Sequence, residues 1–541
     1  MLMPLLFAAA AHSTVAASQG GDTPPARAPD SPRPVWIFLC DRGLDSFAER
    51  WAAIAEVAGA YDFRAIERRA ARGAVGALFD EHDLPVAAAY LREIQARGAR
   101  VRVVSRWLNA VSVEAGAAQL AEIERLPFVD RVEPVRRGRP ADAVPARDRP
   151  LGPSPVTSVY GASENQLAQI NIVAMHDAGF TGEGVVIGML DTGFSRTHDA
   201  FNQPAHPIDV VAEWDFLDDD PDAGFDPNDT VIPSPHGDVY QHAHGTLVLG
   251  AVAAYLPNQL IGGAYGASFV LAKTEDIADE YPAEEDLYVA GLEFVEQNGA
   301  DLVSSSLGYI QWYEYEDLDG LTAVTTQAVN LATARGLVCV TAVGNGGRDQ
   351  DLPSLIAPSD AFDVISCGAV SPTGTTAGFS SNGPTADGRV KPEVLAQGES
   401  TATVHHLDNQ LLAEADGTSL STPLVASAVA LVIEARPGWT IAQIRAALTQ
   451  TADYYVANGT YDPEYARGYG IVDALAASQV SFCDGDLDGD GDVDLTDLSV
   501  LLGHFGTPLG AHAALGDLDG DGDVDLADLS IQLGAFGGAC P

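Results

Sequence analysis

Gly417-Thr418-Ser419-Leu420-Ser421-Thr422-Pro423 opens an apolar run that reaches Ile433 and stops at Arg436-Pro437-Gly438. A run of this length, closed by Pro-Gly, predicts a helix buried on nearly every side. Its N-terminus would hold unpaired N–H groups and a partial positive charge beside Ser419, where an acyl-transfer reaction develops an oxyanion. By itself Gly-Thr-Ser is more often a helix cap than a nucleophile, so Ser419 needs partners elsewhere in the chain.

Two stand upstream. The apolar run 185–190 has strand length and ends in Asp191-Thr192-Gly193. It puts a carboxylate at the C-terminal tip of a buried parallel strand, where open α/β sheets keep their sites. His244-Gly245-Thr246 precedes the small and apolar residues 247–254, so this histidine starts a second helix. Asp, His and Ser in that order follow the chain order of one of the convergent serine-protease triads.

With these residues the chain resembles the subtilisin-like serine proteases. Asn345, in the Gly344-Asn345-Gly346 that closes strand-like 338–343, matches the family's side-chain donor to the oxyanion. Ser306-Leu307-Gly308 resembles the edge strand that pairs with the substrate backbone. The similarity runs from about residue 158 to 477. It implies a subtilisin-like, doubly wound parallel α/β sheet and a triad of Asp191, His244 and Ser419 acting on protein or peptide substrates. In that chemistry His244 takes the proton of Ser419 during attack and returns it to the leaving amine, while Asp191 fixes the imidazole tautomer. Leu420-Ser421 stands where many relatives carry Met-Ala, which bears on packing alone. A metal site built from His236, Asp238, His242 and His244 is the competing reading of that segment.

Around this unit, 541 residues are too many for one core. Residues 1–17 carry an apolar stretch, 5–11, and small residues at 15–17; without an early Lys or Arg they are still expected to be a secretion signal. Residues 34–137 hold fifteen basic and fifteen acidic side chains, although the whole chain is at −47. A strand over 101–113, a helix over 117–126 stopped by Pro127 and a strand over 129–132 make this small α+β segment similar to the family's inhibitor propeptide. Residues 138–157, rich in Pro, Ala and Arg, form an expected processing linker, and 158–481 the catalytic unit. Its predicted strands are 185–190, 269–272, 302–306, 338–343 and 364–369. Predicted helices span 165–177, 244–255, 285–298 and 322–335, and Thr440 with Gln443 forms a capping box for one more.

The C-terminal 483–541 segment is a repeat. Asp486, Asp488, Asp490, Asp492, Asp494 and Asp497 recur 31 residues later as Asp517, Asp519, Asp521, Asp523, Asp525 and Asp528. Carboxylates at loop positions 1, 3, 5, 9 and 12, with Gly491 or Gly522 at position 6, match the EF-hand calcium loop, with Asp for Glu at position 12. Two Ca2+ sites are expected, each loop running into a short helix with Leu498, Leu501, Leu502 and Phe505, or Leu529, Leu533 and Phe536, on one face. Paired loops of this kind resemble a dockerin, which implies a small α-helical domain and a cohesin-like partner. Leu495-Thr496 and Leu526-Ala527 depart from the small hydroxyl residues that dockerins usually carry there.

Charge and cysteine use add bounds. Residues 158–482 hold nine basic against 44 acidic side chains, and 483–541 none against 13, which excludes nucleic acid and anionic membranes as partners. The acidic loops 218–222 and 226–229 either hold further calcium or keep the protein solvated. Cys339 and Cys367 are expected as buried thiols, and Cys483 and Cys540 as a disulfide flanking the C-terminal module. Apart from the 1–17 stretch, no segment is predicted to span a bilayer. Two readings from other classes remain beside a secreted endopeptidase: a protease-fold scaffold without activity, and a calcium-dependent interaction protein.

Overall fold

The computed structural model describes residues 32–72, 78–135, 149–151, 158–233, 238–277, 284–309, 313–348, 353–482, 485–487, 492–507, 516, 518 and 523–538. The proposed signal segment, most of the linker, His236, Cys483, Cys540 and five proposed calcium ligands (Asp488, Asp490, Asp517, Asp519 and Asp521) lie outside them.

In the neutral N-terminal segment, β1 (Arg33–Leu39), β2 (Arg100–Ser105), β3 (Ala110–Ala115) and β4 (Val129–Pro134) form an antiparallel sheet in the order β2-β3-β1-β4. The single strand expected over 101–113 is corrected to a hairpin. The chain turns at residues 106–109, where Asn109 adopts φ +47°, and the arms β2 and β3 pair with each other. One sheet face buries Val35, Ile37, Val111 and Val113 within the segment, while Trp36, Phe38 and Trp107 pack into the core of the larger unit.

That unit is built on seven parallel strands: β5 (Val186–Asp191), β6 (Asp209–Asp215), β7 (Ser268–Lys273), β8 (Leu302–Ser305), β9 (Val338–Ala342), β10 (Ile365–Val370) and β11 (Val394–Gln397). Their order is β11-β10-β9-β8-β5-β7-β6. Every residue of β5 and of β8 to β11 is buried, as expected of strands covered on both faces. Helix α2 (Ala243–Ala253) and helix α5 (Thr418–Ala435) cover one face, and α3 (Glu285–Gln297) with α4 (Val324–Ala334) the other. Among the described residues α5 is the helix long and apolar enough to cross a membrane, and 89% of it is buried inside the fold. The helix expected over 165–177 is two short ones, Glu164–Gln169 and Ile172–Asp177, because Asn171 turns left-handed at φ +56° between them. Thr440 and Gln443 make the expected capping box at the start of Ile441–Gln450. Strand β6 was missed because its seven residues, Asp-Val-Val-Ala-Glu-Trp-Asp, break the alternation at Val210-Val211-Ala212 and run into the acidic 218–222 loop; β11 was missed because it is only four residues long and begins two positions after Pro392. Cys339 and Cys367 are buried free thiols on β9 and β10.

Two short helices close the chain, Leu495–His504 and Leu526–Ala535. The two halves exchange backbone bonds: Gly537 N donates to Val493 O at 2.7 Å and Gly506 N to Val524 O at 2.8 Å. The apolar face of each predicted helix is buried only in part. Leu501 and Val524 are buried with Leu487, Leu518 and Leu529 packed around them, whereas Leu502, Phe505, Leu533 and Phe536 are exposed. A helix pair this short has room to cover one turn of each helix.

The neutral segment docks on α3 and α4 through buried charge. Helix α1 (Phe63–Arg72) aims Arg68 at the carbonyls of Glu296 (3.0 Å) and Ala300 (2.6 Å), and Arg68 also pairs with the Glu296 carboxylate. Arg69 and Arg106 reach the same carboxylate at 3.0 Å each, Arg102 bonds Asp286 at 2.8 Å, and Arg72 bonds Asp301 at 2.9 Å. Burial opposes the charge of Glu296, yet the three guanidiniums hold it down at about 2. Breaking such a group on one side strands the other: Glu296→Gln should lower the stability of the full-length protein by about 3–5 kcal/mol in urea denaturation at neutral pH. Because the folded value is depressed, this contribution is present above the ordinary 4.5 and is lost as pH falls toward 2, so the gap between wild type and variant should close in acid.

Candidate active site

The strand order reverses at β5, which has the earlier-going β7 and β6 on one side and β8 to β11 on the other. A crevice opens at such a point beyond the carboxyl ends of the strands, and Asp191 is the last residue of β5. Its Oδ1 accepts from Thr192 N at 2.7 Å, Thr192 Oγ1 at 3.2 Å and His244 Nδ1 at 2.7 Å. His244 sits in the first turn of α2. Gly245 permits this approach: a Cβ there would strike Gly193 O and lie 3.1 Å from Asp191 Oδ1. Burial opposes an imidazolium at His244, but the adjacent Asp191 outweighs it and raises the His244 pKa above the ordinary histidine value.

Ser419 is the second residue of α5, behind Gly417 at φ +149°. Its hydroxyl lies 3.5 Å from Ser306 O, while Ser306 Oγ donates to Ser419 O at 2.8 Å. Nε2 of His244 is buried and has no hydrogen-bond partner among the described residues. The structure therefore joins Asp191 to His244 and Ser306 to Ser419, with no bond from Ser419 to His244.

Asn345 follows β9 through Gly344, which adopts φ +112°. Its Oδ1 accepts from Thr418 N at 2.8 Å and Thr418 Oγ1 at 2.9 Å, so the amide plane is fixed. Nδ2 lies on the Ser419 side: a Cβ on Gly417 would be 3.7 Å from Asn345 Nδ2 and 3.6 Å from Ser419 N. Two N–H donors thus converge on the bare face of Gly417. Leu307 and Gly308, buried like Ser306, continue from the end of β8.

Several neighbours carried no signal in the sequence. Gln241 ties Thr192 O, at 2.9 Å, to the carbonyl of Glu275. The Glu275 carboxyl is buried, accepts from Tyr309 Oη at 3.1 Å and hydrogen-bonds Glu284; burial pushes it up to about 7. Lys273, the last residue of β7, puts its ammonium 2.8 Å from Asp215 and against Asp229, so an internal cation already neutralises part of the acidic 215–229 segment. His242 caps α2 in a buried site, edge-to-face with Phe225 at 4.8 Å, and burial lowers its pKa to about 4.

Among the described residues the groups with ligand spacing for a metal are both in the C-terminal repeat. Carboxylate oxygens of Asp492, Asp494 and Asp497 lie within 4.8 Å of one another, as do those of Asp523, Asp525 and Asp528. Asp497 and Asp528 are fully buried and accept, at 2.6 Å, from Leu487 N and Leu518 N. Of the other proposed ligands, Asp486 is also among the described residues.

Residues 182–472 match the family described as the subtilase family, and residues 34–147 match a peptidase S8 propeptide domain of Bacteroidota. The chain is 28% identical over 389 residues to subtilisin E of Bacillus subtilis, covering 71% of this chain and 85% of that enzyme. It is 30% identical over 315 residues to subtilisin BL of Lederbergia lenta, covering 58% and 97%. The crystal structure of fervidolysin from Fervidobacterium pennivorans, a keratinolytic enzyme related to subtilisin, superposes with a TM-score of 0.56 at 18% identity. That match covers 85% of this chain and 64% of fervidolysin, less than two thirds of its length.

Asp191→Asn removes the countercharge of His244. The imidazole should then titrate lower than in the wild type, read from its ring proton resonance. The pair's stabilisation is complete below the ordinary value of 6.5 and is lost as pH rises through the higher folded value, so the melting-temperature gap between the two proteins should narrow in alkali. An unchanged titration would refute the coupling.

Proposed function

The chain belongs to the subtilase family of serine peptidases, and on that premise we propose that Ser419 attacks peptide carbonyls while His244 acts as general base and then as general acid. Asp191 holds the Nδ1–H tautomer and stabilises the imidazolium, and an acyl-enzyme on Ser419 is hydrolysed in a second round. The observation that carries this reading is the convergence of Asn345 Nδ2 and Ser419 N at the mouth of α5, one helix away from the Asp191–His244 pair. Donors fixed in advance at a helix N-terminus stabilise the oxyanion without reorganising. A long or unmade contact between hydroxyl and imidazole is ordinary before substrate binds. Ser306-Leu307-Gly308 would pair with the substrate backbone on the acyl side.

The product is proposed to be made as an exported, self-processed precursor, with the neutral segment as its inhibitor. In the C-terminal module Asp486, Asp488, Asp490, Asp492, Asp494 and Asp497, and their counterparts Asp517, Asp519, Asp521, Asp523, Asp525 and Asp528, would hold two Ca2+ ions. The donor set fits a hard cation, because the carboxylates that converge are all oxygen ligands. A bound ion would supply the countercharge that a segment without a single basic residue lacks. The exposed Leu502, Phe505, Leu533 and Phe536 are available to a cohesin-like partner.

A fluorophosphonate probe should label the wild type and not Ser419→Ala, and a new N-terminus within 138–158 should appear in the wild type alone. Labelling that persists in the variant would remove Ser419 from the chemistry. Asn345→Ala should lower kcat by about 10²–10³, the loss known for removing one oxyanion donor from a subtilisin. In equilibrium dialysis of the full chain, Asp486→Ala and Asp517→Ala, each at the first loop position, should each lower the bound calcium by at least one ion; an unchanged stoichiometry would reject these loops as the sites.

A further inference from the structure

We propose that Ile356 fills the primary specificity pocket of this peptidase and restricts the residue on the acyl side of the scissile bond to glycine, alanine or serine. This rests on the proposed roles of Ser419, Asn345 and the 306–308 strand.

Strands β8 and β9 are parallel neighbours, paired from Leu302–Val338 to Ser305–Thr341. Beyond their C-terminal ends the chain continues as Ser306-Leu307-Gly308 on one side and Val343-Gly344-Asn345 on the other. A peptide whose carbonyl carbon meets Ser419 Oγ, whose oxygen faces Asn345, and whose backbone follows 306–308 has one place for its side chain. It must enter between these two extensions.

The segment Leu355-Ile356-Ala357 is already inserted there. Ile356 N donates to Val343 O at 3.2 Å, pinning it to one wall. Tyr309 N donates to Ala357 O at 2.7 Å and Ala357 N to Tyr309 O at 3.1 Å, pinning the next residue to the other. The isoleucine side chain fills the width between them and is 4% exposed. A Cβ on Gly308 would be 2.6 Å from Ile356 Cγ1, and a Cβ on Gly344 would be 3.1 Å from Ile356 Cγ2. Both walls are therefore glycine where they meet Ile356, and the space those glycines leave open is taken by its branched chain. β-branching leaves few χ1 states, and the backbone bonds on both sides prevent retreat. A substrate methyl or hydroxymethyl stays above the obstruction, whereas a leucine or phenylalanine side chain collides with it.

The test uses the processed enzyme, with active sites counted by fluorophosphonate labelling, on peptide p-nitroanilides that differ only in the residue before the scissile bond. The alanine substrate should exceed the phenylalanine substrate in kcat/KM by about 10²-fold, and Ile356→Gly should shift that ratio toward phenylalanine by about the same factor. Should the glycine variant fail to fold, Ile356→Ala and the cleavage map of the wild type on an unfolded protein answer the same question, with cuts expected after Gly, Ala and Ser. Labelled wild-type enzyme that prefers phenylalanine, or cuts mainly after Phe, Tyr or Leu, overturns this proposal alone. Absence of labelling overturns the assignment of Ser419 and this proposal with it.

Discussion

The distance at which helix α2 passes the end of β5 governs the site. Asp191 and His244 are 53 positions apart in the chain and come from different elements, yet a single oxygen of the carboxylate collects Thr192 N, Thr192 Oγ1 and His244 Nδ1. No side chain beyond a hydrogen can stand at Gly245 without parting them. The reversal of strand order makes the crevice, and that glycine lets the histidine into it. α5 packs beside α2 on the same face of the sheet, buried along nearly its whole length, so the position of its N-terminus is set by core packing rather than by a mobile loop.

Charge is distributed with the same economy. The catalytic unit is strongly acidic, but several of its buried carboxylates are matched by cations. Glu296 is met by three arginines of the N-terminal segment, Asp215 and Asp229 by Lys273, and Glu393 by Arg445 and Lys391. The near-zero net charge of residues 34–137 follows: their arginines answer acids located elsewhere in the chain. A composition that looked unremarkable is half of an interface.

The sheet and its motifs were legible because buried parallel strands are continuous apolar runs and because Asp191, His244, Asn345 and Ser419 end or begin elements. Five strands were placed within two residues of their ends for that reason. What escaped has no local period. The edge strand β6 reads as an acidic loop, the hairpin of 100–115 reads as one strand because its turn, Arg106 to Asn109, contains two apolar residues, and Asn171 gives no warning that it will adopt a left-handed turn. Gln241, Glu275 and Ile356 each act through at least one partner 34 to 49 positions away, and a spacing that long carries no signature in one sequence.

The exchanged strand bonds of the C-terminal repeat have a thermodynamic consequence. Val493, at the exit of the first acidic loop, is held by Gly537 and Gly538 behind the second helix, and Val524 is held by Gly506 and Thr507 behind the first. Neither half completes its own backbone pairing, so neither has a separate stability. The two halves therefore order together, and a disturbance of one loop reaches the other as lower stability of the whole module rather than as a local defect.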